Sequence, residues 1–492
     1  MKIFPVCGAN LETALGYLEE YKKSGKFLYY STDDIGMNEQ AYFLASAADS
    51  IFAPPQTTFE FNGFFAQPTF LKGALEKLGI QPEIIRVGKY KSAIEPFIQE
   101  ENSPESEEQL SAILNQATQS FMGAVQKKTG KSIDEIDSLL GDTPTYLIED
   151  AFKNGLIDVL AYPDEVITAI KNRIGVEQDD DLKTISYSRY NRVEKSSAGL
   201  DPEDTDDKIA VLYLSGAILP QLDGGPFGDE TGITSQFIQK NLEEIENDDN
   251  IKAVVVHIDS PGGAATTSDL IWNYFKKTEI PVVAVMGSVA ASGGYYIAAG
   301  ADTIVADPNT VTGSIGVFRT MFNTQEFYNE KLGITFDEVK THGHADMLTM
   351  TRPLTDAEIK SMQRATDATY ETFLNRVAES RGMTRDQVHE IAQGRVWTGA
   401  AAHERNLVDI LGNLETGLET AAQMAGIETY KTDVYPRKKD FIQEFFGSAD
   451  TGVKNWILGW FPFYKEINSL EHIKNYPGIQ HWAYLPVNFL VQ

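Results

Sequence analysis

The chain has 492 residues, 42 % hydrophobic and 23 % charged, a length that at roughly 100–200 residues per domain points to several cores. Asp and Glu number 71 against 42 Lys and Arg, a net charge of −29, which repels phosphate and argues against a general nucleic-acid or anionic-lipid binder. The single cysteine, Cys7, excludes an intrachain disulfide framework, a multi-Cys zinc site and an iron–sulfur site; no histidine precedes His257, so any histidine chemistry belongs to the second half.

In chain order, Met1–Asn10 lacks the long apolar run and cleavage site of a signal peptide. Leu11–Ser24 reads as a helix and Phe27–Tyr30 as a strand. Arg86–Phe97 (RVGKYKSAIEPF) sets Lys89 and Lys91 at a strand-to-loop transition. Acidic Glu177–Leu182 and small, polar Ser196–Asp207 read as a linker. Beyond it, apolar runs at Ile209–Leu214, Val254–Ile258 and Val282–Val285 alternate with helical patterns at Gln236–Glu246 and Thr267–Lys277. That alternation predicts an α/β fold with a parallel sheet of βαβ units. Pro281–Ala301 carries no charge, but its leading proline and its glycines and serines predict a buried strand, a turn and a buried helix rather than a membrane span. The tail, Tyr435–Gln492, is rich in aromatics; Val453–Tyr464 reads either as a membrane-interface segment or as a packing surface, and its few basic residues favour packing.

The organisation rests on an internal repeat. Ala41–Pro55 (AYFLASAADSIFAPP) aligns without gaps with Gly294–Pro308 (GYYIAAGADTIVADP) at an offset of 253. After one inserted residue, Lys77-Leu78-Gly79-Ile80 meets Lys331-Leu332-Gly333-Ile334, and Asn154–Asp158 later meets Arg405–Asp409. A two-copy period of this length is a duplicated domain rather than a solenoid. The expected division is a first repeat at 1–195, a linker at 196–207, a second repeat at 208–434 and an extension at 435–492. Counterparts of Ile209 to about Lys252 are missing before Met1, so the first repeat reads as N-terminally incomplete.

Two motifs of the second repeat carry chemistry. Ser292 lies in GSVAASGGYY, between an apolar strand and a small-residue helix, where it serves either as an exposed nucleophile or as a helix cap. Asp259-Ser260-Pro261-Gly262-Gly263 ends an apolar strand, and its glycines form either an oxyanion hole with the N–H of Gly293 or a tight turn. His257 sits inside a strand and reads as a buried histidine; His342 and His344 fall on a polar loop with no evident acidic partner, so a Ser-His-Asp triad is poorly supported. Lys91 is the other candidate base, against the ordinary reading of a solvated lysine. The repeat register sets Ser292 opposite Glu39, and Lys91 opposite Ala345, so each copy holds one candidate where the other lacks it. One composite site is the expected outcome of such divergence.

VGKYKSAIEPF, DSPGG, GSVAASGGYY and DPNTVTGSIGVF together resemble the signal peptide peptidase A (protease IV) family in its long, tandem-repeat form, from roughly Ala9 to Asp409. The resemblance implies two Clp-protease/crotonase-like repeats and a Ser/Lys dyad in which Ser292 is the nucleophile and Lys91 the general base, with no metal or cofactor. It implies an oxyanion held by backbone N–H groups around Gly262, Gly263 and Gly293. It further implies peptide substrates such as cleaved signal peptides, a homotetramer, and a site on the periplasmic side of the bacterial inner membrane, although the chain as written has no anchor. Competing readings are a crotonase-like acyl-thioester enzyme, which would use carboxylates near DSPGG, and a proteolytically inactive peptide-binding scaffold.

Overall fold

The computed structural model describes residues 8–32, 36–142, 146–190, 193, 205–221, 232–437 and 482–484. Val453–Tyr464 and most of the expected linker lie outside these residues. Two compact units result: one takes the described residues up to Gln67 and those of 111–205, the other takes Pro68–Leu110 and those from Asp206 onward. The segment bearing Lys91, although part of the first repeat in sequence, therefore belongs to the same compact unit as Ser292.

The first unit packs the helix Ala9–Lys23 and the helix Glu39–Ala45 with two small sheets, one of which pairs Tyr29–Ser31, Ser50–Ala53 and Val159–Leu160 in parallel. Its core is aromatic: Tyr42 meets Phe59 and Phe61 edge-on at 5.5 and 5.7 Å, and its hydroxyl donates to Leu156 O at 2.9 Å. Glu39, the counterpart of Ser292, is buried at the start of its helix and accepts the N–H of Asn62 at 2.8 Å; burial raises its carboxyl pKa.

The second unit is built on a sheet that runs, in order, Val396–Thr398, Val311–Gly313, Val282–Ala291, Ile251–Ser260, Lys208–Ser215 and Lys431–Tyr435, with Thr303–Ala306 pairing the first half of Val282–Ala291. All these pairs are parallel except the one made by Val396–Thr398. The apolar runs at Ile209–Leu214, Val254–Ile258 and Val282–Val285 thus become neighbouring strands, joined through the helices Ser235–Glu246 and Ala265–Lys277. Strands buried on both faces need continuous apolar sequence, which is what these runs supply. One face packs on those helices and on Asp356–Arg381; the other packs on Leu414–Ala425. Pro281–Ala301 resolves as expected into a buried strand, Val282–Ala291, and a buried helix, Gly293–Ala298, with Ser292 between them.

A smaller sheet brings in the first repeat. Gln81–Val87 pairs antiparallel with Val317–Asn323 along its whole length, and the chain leaves that strand directly into the Lys91 loop. The helix after Ser292 is fixed from behind by Tyr296, whose ring stacks on Phe373 at 4.4 Å. Phe373 is fully buried. Phe373→Ala is expected to cost about 3–5 kcal/mol, read as a fall in unfolding free energy by denaturant titration. A loss under about 1 kcal/mol would mean that this helix is held elsewhere.

Candidate active site

Ser292 ends the Val282–Ala291 strand, where the pairing with Ile251–Ser260 shifts register between Met286 and Ala290. The Asp259 carboxylate accepts the Val289 N–H at 3.1 Å across that irregularity. The serine backbone has φ 56° and ψ −115°, a strained conformation for a residue with a Cβ. Its N–H donates to Gly313 O at 2.8 Å and its carbonyl accepts the Tyr296 N–H at 2.8 Å, so surrounding hydrogen bonds hold the strain. The side chain makes no helix-capping bond, which sets aside the reading of Ser292 as a cap.

The hydroxyl instead meets a lysine. Lys91 Nζ lies 2.8 Å from Ser292 Oγ, 3.0 Å from Ser314 O and 3.0 Å from Ser314 Oγ. Lys91, Ser292 and Ser314 are 1 %, 0 % and 1 % exposed. Burial alone lowers the amine pKa to about 7, with no charged group contributing. A neutral amine has two hydrogens and one lone pair. With both hydrogens on Ser314, donating to its carbonyl and its hydroxyl oxygen, the lone pair is left to accept the Ser292 O–H. Ser314 Oγ in turn donates to Gly394 O at 3.4 Å. Ser314 lies in the DPNTVTGSIGVF motif, yet its role at the amine is not readable there, because the contact joins residues 223 apart.

The Lys91 loop is cradled by Gln393-Gly394-Arg395. Tyr90 N–H donates to Gln393 O at 3.0 Å, Gly394 N–H to Ile315 O at 2.8 Å, and Ser314 N–H to Arg395 O at 2.7 Å. Gly394 has φ +80°, and a Cβ there would lie 2.7 Å from Lys91 Cβ and 2.8 Å from its Cα.

Opposite the amine, the DSPGG segment approaches the start of the helix. Ser260 Oγ donates to Gly216 O at 2.7 Å and accepts the Gly262 N–H at 3.2 Å. Gly262–Ala264 is a short strand rather than a turn: Gly262 O accepts from Ile218 N at 2.9 Å, and Ala264 N donates to Ile218 O at 2.8 Å. Strand alternation then turns the N–H of Gly263 to the opposite edge. A Cβ on Gly263 would lie 1.9 Å from Ile218 O, and one on Gly293 would lie 3.0 Å from Gly263 N, so both close approaches require glycine. Gly293 opens its helix, and an N–H there has no intrahelical acceptor. Gly263 thus turns its amide to the edge that pairs with Ala483, and Gly293 opens the helix that follows Ser292, while the N–H of Gly262, expected to share in the hole, is held within its own loop by Ser260.

The edge carrying Gly263 pairs with an extended segment: the backbone of Trp482–Tyr484 runs antiparallel to Gly262–Ala264 and also pairs with Phe318. The slot between these two strand edges is therefore one β-strand wide.

The histidines lie elsewhere. His257 packs against the Tyr213 ring at 5.3 Å, and burial lowers its pKa. His344 does have an acidic neighbour, contrary to expectation: Nδ1 is 3.4 Å from Glu358, supplied by the start of the Asp356–Arg381 helix. Neither is bonded to Ser292 Oγ, whose partner is Lys91. Among the described residues no cluster of three or more His, Cys, Asp or Glu is arranged around a metal position.

A serine and a desolvated lysine are thus buried together on a largely parallel α/β sheet, and comparison with known proteins says to which class the chain belongs. The model of peptidase family S49 matches residues 20–177 and 274–428, one segment in each repeat, and the Clp protease model matches residues 229–312. A chloroplastic serine protease SPPA of Arabidopsis thaliana is 36 % identical over 430 residues, covering 86 % of this chain and 62 % of that protein. Protease 4 of Salmonella typhi is 33 % identical, covering 85 % of this chain and 67 % of the relative. The chain thus spans about two thirds of the length of these relatives. The solved structure of ClpP1 from Listeria monocytogenes is 18 % identical over 42 % of this chain and 94 % of its own, at a TM-score of 0.27. The chain belongs to peptidase family S49.

Gly394→Ala is expected to displace the Lys91 loop while leaving the sheet intact. Labelling of Ser292 by a serine-reactive phosphonate should then slow by at least about tenfold, with far-UV circular dichroism unchanged. Labelling at the wild-type rate would show that the loop tolerates the extra methyl.

Proposed function

We propose that this protein is a serine endopeptidase that cuts extended, hydrophobic peptides such as released signal peptides, with Ser292 as nucleophile and Lys91 as general base. The observation that carries this reading is the 2.8 Å contact between Lys91 Nζ and Ser292 Oγ inside a site closed to water. An ordinary lysine, with a pKa near about 10.4, would stay charged and accept nothing at neutral pH. Lys91, desolvated to about 7, is neutral in a useful fraction of molecules and takes the serine proton as Oγ attacks the scissile carbonyl. The tetrahedral oxyanion is met by the N–H groups of Gly293 and of Gly263, the latter released from its pairing with Ala483. The lysine returns its proton to the leaving amine, and water repeats the sequence on the acyl-enzyme.

The shape of the slot supports a peptide substrate. An extended chain that takes the place of Trp482–Tyr484 adds as a strand along Gly262–Ala264, where backbone hydrogen bonds grip any sequence and alternate side chains set preference. This favours a peptidase over an acyl-thioester enzyme, as does Asp259, the nearest carboxylate in the motif, whose Oδ1 accepts the Val289 N–H. The family resemblance supports a homotetramer and a place at the periplasmic face of the inner membrane. Among the described residues no helix is long and apolar enough to cross a membrane.

Hydrolysis of a fluorogenic hydrophobic peptide should fall by at least about 10³-fold in Ser292→Ala and in Lys91→Ala, each folded by circular dichroism. Activity retained in folded Lys91→Ala would assign the base elsewhere. Because the base acts unprotonated, kcat/KM should fall as pH drops through about 7. Stability carries the opposite face of the same shift: between about 7 and the unfolded lysine's pKa of about 10.4 the unfolded chain holds the extra proton, so the Lys91 contribution rises with pH across that window. Lys91→Met should flatten that rise in thermal melts, and an unchanged pH dependence of Tm would count against a neutral Lys91.

A further inference from the structure

One side chain ties the Lys91 loop to the segment that cradles it. Gln109, buried near the start of the helix Pro104–Thr129, directs Nε2 toward Tyr90 O at 3.2 Å, Ser92 Oγ at 3.2 Å and Glu105 O at 3.0 Å. Its Oε1 accepts the N–H of Val396 at 2.8 Å. Tyr90 and Ser92 flank Lys91 in sequence, and Val396 follows the Gln393–Arg395 turn. A single amide, its two hydrogens shared among three acceptors, therefore spans both walls of the lysine's seat from behind.

Besides the Tyr90 N–H bond to Gln393 O, the ties across this seat include a rim of charge and ring contacts. Arg395 lies over the rings of Tyr90 and Trp397 at 4.7 and 4.2 Å and pairs with Glu108, which also accepts from the Tyr90 hydroxyl at 3.2 Å. Lys89 sits over the Tyr90 ring at 4.7 Å, and Glu95, on the turn after Lys91, accepts from Ser103 Oγ at 2.7 Å. On the inner side the amine faces the Phe318 ring at 6.0 Å, together with Ser292 and Ser314. The charged groups thus have partners of their own, and the buried anchor on this side of the loop is a neutral amide.

We propose that Gln109 is a positioning residue for Lys91: by pinning both neighbours of the lysine to the Val396 backbone, it holds the amine in line with Ser292 and keeps water from reaching it. The inference rests on the Ser/Lys reading of the site. Gln109 touches neither reacting atom, so its effect passes through the place and the solvation of the amine. A lysine stem left free to sample other rotamers spends less time aligned, and an amine reached by water regains its proton more readily.

The test compares Gln109→Met, similar in length but without the amide bonds, and Gln109→Glu, which retains an acceptor for Val396 and loses the donors. The rate of Ser292 labelling by a phosphonate probe is followed from about pH 5 to 10 alongside thermal melts, with peptide KM measured separately. In both variants the acid limb should move to higher pH by about one unit, and labelling at pH 7 should slow by about fivefold with KM little changed. The rate lost at about pH 7 should be largely recovered by about pH 9. A purely structural role would lower Tm and the active fraction while leaving the midpoint where the wild type has it; that result, or failure of both variants to fold, overturns the proposal. Should only Gln109→Met misfold, the neutral Gln109→Leu takes its place and its midpoint decides, because the new carboxylate of Gln109→Glu would by itself raise the midpoint. A wild type that does not label at Ser292 overturns the Ser/Lys reading and this inference with it, whereas a labelling wild type whose midpoint both variants share overturns this inference alone.

Discussion

The site depends on an amine kept out of water without a counter-charge. A carboxylate beside Lys91 would stabilise its protonated form and remove it as a base at neutral pH. The surroundings supply only neutral partners: two serine side chains, one carbonyl and an aromatic ring. The chain carries 71 acidic residues, yet none among the described residues contributes to the Lys91 shift, whose cause is desolvation.

Holding such an arrangement takes strain. Of the four non-glycine residues with positive φ among the described residues, Ser292, Ser314 and Gln393 belong to this site, at 56°, 51° and 53°. Each is fixed through backbone hydrogen bonds with a neighbouring segment: Ser292 to Gly313, Ser314 to Arg395, Gln393 to Tyr90. Conformations that cost of order 1–3 kcal/mol each persist only when the surroundings over-determine them. The stable parallel sheet and the buried helices behind it supply that surplus. The strain in turn aims three groups, the serine hydroxyl, the hydroxyl that orients the lysine and the carbonyl that anchors the lysine loop, at one small volume.

Much of this was legible in the sequence because it is local. Continuous apolar runs announced the buried parallel strands, and Ser292 could be placed at the end of one because small residues and glycines follow it. The repeat register singled out Lys91 by setting it against Ala345, a comparison available only because the chain is duplicated. What stayed hidden joins distant segments. The strand alternation that turns Gly263 away from Ile218 depends on the pairing with Ile218, and Ser260 claims the Gly262 amide through a side-chain bond that no motif encodes. Ser314 and Gln109 are ordinary polar residues on a turn and a helix; their significance appears only when the segments near 90, 314 and 394 are brought together. The allotment of Pro68–Leu110 to the unit of Ser292 was hidden for the same reason: an antiparallel strand pair between Gln81–Val87 and Val317–Asn323 overrides the repeat boundary.

That strand pair also explains how two diverged copies keep a single site. Duplication gives each copy a full set of loops, and either is free to lose a residue once the other supplies it. Sharing becomes durable only if the donated segment is held in the recipient's own core rather than across a mobile contact, because an amine misplaced by about 1 Å is a poor base. Seven consecutive backbone partners along Gln81–Val87, followed at once by the lysine loop and then by the helix bearing Gln109, make the donated piece an integral part of the second unit. Glu39, the repeat counterpart of Ser292, is a buried carboxyl in the first unit, bonded to the Asn62 amide. The asymmetry of the two repeats follows from where the lysine strand pairs.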